Sequence, residues 1–181
     1  MTEYTVENIV VSAKIAESLD LLQVKDTFPD AVYNPEDVPA VILKKTLPEK
    51  AVVMLCADGT CVCTGLTVQQ DAETLIWSTV KLLQAAEVPV NDQAVTLVES
   101  IVISTHLSTP INLKKTYKKL NYKTMEYDPK QFPGLIVQGE NDRIVFLVLK
   151  TGKVVCTGPN TETVSPALEQ FTNELVSLTI K

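Results

Sequence analysis

Short, largely apolar runs rich in β-branched residues and bounded by turn residues, Val6–Ala13, Ala40–Lys45, Ala51–Ala57 and Cys61–Gly65, predict four strands. Asp58-Gly59, a pair suited to a tight hairpin turn, joins the last two. A helical period runs through Val68–Ala86, where Leu75, Ile76, Val80, Leu82 and Leu83 recur at helix spacing. A shorter helix is predicted over Asp20–Phe28, with Ser18 and Asp20 as cap candidates. Between that helix and Ala40, the proline-marked stretch YNPEDVP predicts a corner.

The same grammar occurs twice. Glu7–Ile15 (ENIVVSAKI) lies over Glu99–Leu107 (ESIVISTHL) with 4 identities in 9 positions. Tyr33–Leu43 lies over Tyr127–Val137 with 4 in 11, and Ala51–Gly65 over Ile144–Gly158 with 6 in 15. Both copies of the last segment end in VCTG. Collinear matches at one long offset predict two repeats, 1–91 and 92–181, rather than a solenoid of short units. The second repeat closes on a helix predicted over Thr161–Leu178. Two strand-rich halves, each ending in a long helix, predict an α+β fold: a continuous antiparallel sheet with its helices on one face.

That arrangement leaves a face uncovered. Strand side chains alternate, so Val53, Leu55 and the cysteines of Cys61–Gly65 can pack beneath helices. Val52, Met54, Val62 and Thr64 then point the other way. With Val10 from the first strand and Val102, Leu147, Leu149 and Val155 from the second repeat, this set is nearly as apolar as the covered one. A contiguous apolar face of that kind marks a binding surface. A homodimer of the free protein is the alternative cover.

Charge narrows the choice. The chain of 181 residues has a formal net charge of −6. Residues 1–90 hold 6 Lys+Arg against 13 Asp+Glu, and residues 91–181 hold 10 against 9. An acidic protein is a poor generic polyanion binder, so a nucleic-acid role has to rest on a local surface. The longest apolar runs fall short of a membrane span, and the opening MTEYTVENIV lacks the basic-then-apolar order of a signal peptide. We expect an intracellular protein, cytoplasmic or nucleoid-associated (nuclear in a eukaryote), with no membrane partner.

Candidate chemistry is sparse. Cys61-Val62-Cys63 has no second close cysteine pair, and His106 is the single histidine, so neither a metal nor a cofactor is expected. No phosphate-cradling glycine loop, nucleophile elbow or paired-carboxylate site is present, which argues against an enzyme. Lys114, Lys115, Lys118 and Lys119 share a short helix and read as a solvated face, with an acidic partner or flanking phosphate as the functional alternative. Trp77 reads as helix packing and His106 as a structural or surface residue.

The phrases EYDPKQFPGLIV and LKTGKVVCTG, with ENIVVSAKI and VYNPEDVPAVIL in the first repeat, resemble the TATA-box-binding protein family, particularly its compact archaeal form. The resemblance runs from about Val6 to Leu178. It implies a saddle: a curved antiparallel sheet of about ten strands, with helices on the convex face and the concave face in the minor groove of A·T-rich promoter DNA. It also implies bending of that DNA and recruitment of a transcription factor B-type protein and, through it, RNA polymerase. On that resemblance Asn8, Thr64 and Thr157 match the positions that contact bases, and Ser100 replaces the second asparagine. Val10, Val62, Val102, Val155, Met54 and Leu147 match groove-packing positions, and Lys44 and Lys153 match phosphate-contacting ones. Asp128 keeps one acidic position of the factor B contact, whereas Lys130 reverses the charge at another.

The departures from the family are concentrated in the first repeat. Where the family carries two phenylalanines per repeat that wedge between base steps, this chain has Val38 and Cys56, then Phe132 (followed by Pro133) and Leu149. Thr60, Thr67, Gln138 and Asn160 stand at positions that are usually basic. The expectation is an asymmetric footprint, with the second repeat holding DNA better than the first. A protein-interaction or regulatory module on the same saddle, with weak or no DNA binding, is the competing expectation.

Overall fold

Pairing the apolar runs as strands satisfies their backbone while sending alternate side chains to opposite faces. The computed structural model describes residues 3–46 and 50–179. Within them the chain forms four helices and a single antiparallel sheet of ten strands. It divides into two compact units: Asn8–Glu99, and Met1–Glu7 together with Ser100–Lys181. The division falls inside the first strand of each half, β1 (Thr5–Lys14) and β6 (Thr96–His106).

In the Asn8–Glu99 unit, α1 (Leu21–Thr27) follows β1, and the strands β2 (Val32–Tyr33), β3 (Ala40–Lys45), β4 (Ala51–Cys56) and β5 (Thr60–Leu66) come next. The strand order is β2-β3-β4-β5-β1. Asp20, one of the two cap candidates, caps α1: its Oδ1 accepts from the Leu22 N–H at 2.9 Å and the Gln23 N–H at 3.3 Å. The predicted hairpin is present, with Gly59 at φ +85° in the turn and Asp58 Oδ1 accepting from the Thr60 N–H at 2.9 Å. α2 (Gln69–Ala85) closes the unit. Its Ala72, Ile76, Val80 and Leu83 and the strand residues Val11, Val53, Leu55, Cys61 and Cys63 are all at 0% exposure, with α2 packed on β5 and α1 on β3 and β4. Each fully buried branched or aromatic side chain contributes roughly 1.5–3 kcal/mol.

The other unit repeats the plan with α3 (Leu113–Lys119), β7 (Met125–Glu126), β8 (Gly134–Gln138), β9 (Val145–Leu149), β10 (Lys153–Gly158) and α4 (Thr161–Thr179). Its strand order is β6-β10-β9-β8-β7. α4 sets Val164, Leu168, Phe171 and Leu175 over Ile103, Val148, Val154 and Cys156, with Phe171 stacked on Phe146 at 4.1 Å between ring centroids. The α+β class and the helix-covered face thus match the sequence expectation. No helix among the described residues is long and apolar enough to cross a membrane.

Candidate nucleic-acid interface

Strand pairing fixes which side chains share the face away from the helices. In the Asn8–Glu99 unit, Val52 pairs with Thr64, Met54 with Val62, Ile42 with Met54, and Lys44 with Val52. Ser12 pairs with Val62 from β1. Paired residues project to one side, so Lys44, Ile42, Val52, Met54, Val62, Thr64 and Ser12 form one surface. Burial confirms the division: Val10, Ile42, Val52, Met54, Cys56, Val62 and Thr64 are half-buried, whereas their strand neighbours Val11, Val53, Leu55, Cys61 and Cys63 are fully buried. The helices seal one face and leave the other open.

The polar groups on this open face are few and already organised. Asn8 Nδ2 donates to Thr64 Oγ1 at 3.1 Å, and Asn8 Oδ1 accepts from the Gly65 N–H at 2.8 Å. Two predicted base-contacting residues are therefore locked together 56 positions apart in sequence. Lys44 lies exposed on the same face. Val38, at the first wedge position, is 42% exposed in the loop before β3, and Cys56 at the second is half-buried.

In the other unit, Val155 pairs with Leu147 and Ser104, Thr157 with Val102, and Ile136 with Leu147. Val102, Ile136, Leu147, Leu149, Lys153, Val155 and Thr157 are half-buried on the open face. Phe132 projects from the loop before β8 and is 42% exposed, beside exposed Pro133. Its ring crowds over Gly134: a Cβ there would lie 2.6 Å from Phe132 Cε1, 2.7 Å from Leu147 Cδ1 and 3.2 Å from Leu149 Cδ2. The missing side chain lets Phe132, Leu147 and Leu149 converge into one apolar point. Ala40 occupies the corresponding place in the first repeat, paired with Cys56.

The predicted partner-binding residue Asp128 has its carboxylate engaged. It accepts from the Lys130 N–H and from Gln131 Nε2, both at 3.0 Å, and so shapes the turn that presents Phe132. Lys114, Lys115, Lys118 and Lys119 are all exposed on α3, and His106 is exposed at the end of β6. Trp77 is half-buried on α2.

Two acidic side chains that bond to open-face residues were not among the predicted site residues. Glu7 Oε1 accepts from Lys153 Nζ and from Ser104 Oγ, each at 2.6 Å, and these bonds hold its carboxyl below the usual range. Glu99 Oε1 accepts from Ser12 Oγ at 2.5 Å within the Asn8–Glu99 unit. The signal was in the repeat itself, because ENIVVS and ESIVIS carry the same Glu and Ser five positions apart. Ile42 and Ile136 also complete the apolar faces. Their cue was the unbroken apolar runs VIL and LIV, whose middle residue must face the side opposite its neighbours.

Cys61, Cys63 and Cys156 belong to the covered side, whereas Cys56 lies half-buried with the open-face set. Burial pushes the Cys61 thiol up to about 12, Cys156 to about 12 and Cys63 to about 11, and it raises Cys56 as well. These are protonated packing groups, neither nucleophiles nor ligands.

Comparison with known proteins agrees with this geometry. The family described as "Transcription factor TFIID (or TATA-binding protein, TBP)" matches residues 3–86 and 96–178. The chain is 34% identical over 174 residues to a TATA-box-binding protein of Archaeoglobus fulgidus, covering 96% of this chain and 94% of that one. It is 36% identical over 158 residues to one of Thermoplasma acidophilum, covering 87% and 85%. Among solved structures, Methanococcus jannaschii TBP superimposes with a TM-score of 0.85 at 29% identity, over 97% of this chain and 99% of that one.

Proposed function

Because the chain belongs to the TATA-binding protein family, we propose that it is a transcription initiation factor that binds TATA-type promoter DNA through the minor groove. The observation that carries this reading is the half-exposed apolar strand face in each unit, with Asn8, Thr64 and Thr157 among its few uncharged polar groups. The minor groove shows only acceptors at A·T pairs and adds the guanine amino donor at G·C pairs. An apolar face with small hydroxyl and amide donors tolerates the first pattern and leaves the second donor unpaired. A·T preference follows from that mismatch.

Bending is the family's established mode of binding, in which apolar wedges unstack base steps at a cost of a few kcal/mol each. In this chain Phe132, backed by Pro133 and converging with Leu147 and Leu149, is the wedge best built for it. Val10, Met54, Val62, Val102 and Val155 pack against the groove floor, while Lys44 and Lys153 reach phosphates. Val38 and Cys56 offer less area, so the repeat spanning 92–181 supplies most of the grip and that spanning 1–91 less. The α2 and α4 sides stay open for protein partners, with the turn at Asp128 as a contact for a transcription factor B-type protein that brings RNA polymerase.

A mobility-shift experiment with a TATA-containing duplex, with and without a cognate factor B, tests the reading. A shift in both lanes, supershifted by factor B, is expected. No shift in either lane would favour a module that sequesters an initiation factor without holding DNA.

A further inference from the structure

Lys153 lies on the open face of its unit, but its charge is not idle. Its Nζ sits 2.6 Å from Glu7 Oε1, with 31% of the lysine side chain and 39% of the glutamate side chain exposed. The same carboxylate oxygen accepts from Ser104 Oγ at 2.6 Å, and Ser104 is only 4% exposed. Glu7 is therefore held by a buried hydroxyl on one side and offers itself to the lysine on the other.

The second copy of the motif separates these two bonds. Glu99 makes the corresponding bond to Ser12, at 2.5 Å. The position corresponding to Lys153 there is Thr60, which cannot supply a cation. The carboxylate–serine couple forms where that lysine is missing, so the serine alone is enough to anchor the carboxylate. It follows that Glu7 stays in place when Lys153 is drawn away.

We propose that Glu7 competes with DNA phosphate for Lys153 and so sets the strength and salt dependence of binding by this unit. This rests on the DNA-binding reading above. DNA must break an exposed ion pair worth up to about 1 kcal/mol. It must then accept a fixed carboxylate beside its own phosphates, and that repulsion is greatest at low salt. A lysine freed of Glu7 makes a full phosphate contact, which adds about 0.9 to the slope of log affinity against log salt.

The test is an anisotropy titration of a labelled TATA duplex at several salt concentrations with wild type, Glu7→Gln, Lys153→Ala and the double variant. Glu7→Gln should bind roughly fivefold tighter at low salt, with a slope steeper by up to about 0.9. Lys153→Ala should cost little in the wild-type background and clearly more in Glu7→Gln. Ser104→Ala, which releases the carboxylate without removing it, should tighten binding by an intermediate amount. A thermal melt of each variant separates these effects from stability, because a purely structural role for Glu7 moves the melt and leaves the slope alone. Equal costs of Lys153→Ala in both backgrounds, or no tightening in Glu7→Gln, overturn the proposal while the DNA reading stands. Wild type that binds no TATA duplex at any salt overturns both.

Discussion

Truncating Phe132 should cost far more DNA affinity than truncating Val38, although both are 42% exposed in the free protein. A phenylalanine side chain presents about 200 Å², so about 85 Å² of Phe132 is open to bury against unstacked bases. At about 25 cal/mol per Å² that is about 2 kcal/mol, within the range of roughly 1–3 kcal/mol for base–aromatic stacking. Val38→Ala removes two methyl groups at about 0.8 kcal/mol each when fully buried. Scaled by the same exposure, the loss is about 0.7 kcal/mol. At about 1.4 kcal/mol per tenfold, Phe132→Ala should weaken binding about 30-fold and Val38→Ala about threefold. Both sit in loops outside the helix-covered core, so thermal melts should stay near wild type. Equilibrium anisotropy with one TATA duplex at fixed salt measures both. A loss in Phe132→Ala no greater than in Val38→Ala would refute the asymmetric grip, because Phe132 differs from Val38 as a wedge in area.

The remaining expectations concern backbone, packing and thiols. Gly59 has φ +85°, and a Cβ there would meet the Ala16 carbonyl oxygen at 1.9 Å, so Gly59→Ala should lose at least about 2 kcal/mol and lower Tm by about 5 °C. Gly134→Ala meets only side-chain ends, so its Tm should hold within about 2 °C while the displaced Phe132 ring weakens DNA binding. At pH 8 a thiol reagent should leave Cys61, Cys63 and Cys156 unlabelled in native protein, with half-buried Cys56 reacting slowly and all four reacting in denaturant. The fold favours the neutral thiols, so stability from this source is flat below the free-thiol pKa. It falls as pH rises above about 8.5, which an alkaline melt series reads directly.

Legibility followed the range of the interactions. The hairpin at Ala51–Leu66 was readable because its short apolar runs and the Asp58-Gly59 turn are local, and Asp20 was readable as a cap for the same reason. β2 and β7 went unseen because two residues carry no period: Val32–Tyr33 is a strand only through its ladder with β3. The open face was visible as a surplus of apolar positions, since each repeat has too few helices to cover both sides. The Glu7–Ser104 bond was not, since it joins residues 97 apart and depends on strand register. Ser12 shows the same gap. Alternation placed it on the open face, where its pairing with Val62 does put it, yet it is only 6% exposed. The resemblance supplied base, groove and phosphate positions residue by residue. It could not show that Lys153 arrives at the interface already paired.

Base substitution separates minor-groove from major-groove readout. Replacing A·T by I·C pairs keeps the minor-groove acceptors and omits the guanine amino group, while giving the major groove the pattern of G·C. Binding to an I·C-substituted TATA duplex should stay within about threefold of the A·T duplex, and a G·C duplex should lose tenfold or more, at about 1–3 kcal/mol per mismatched pair. An I·C duplex that loses as much affinity as the G·C duplex would show that the protein does not read the minor groove.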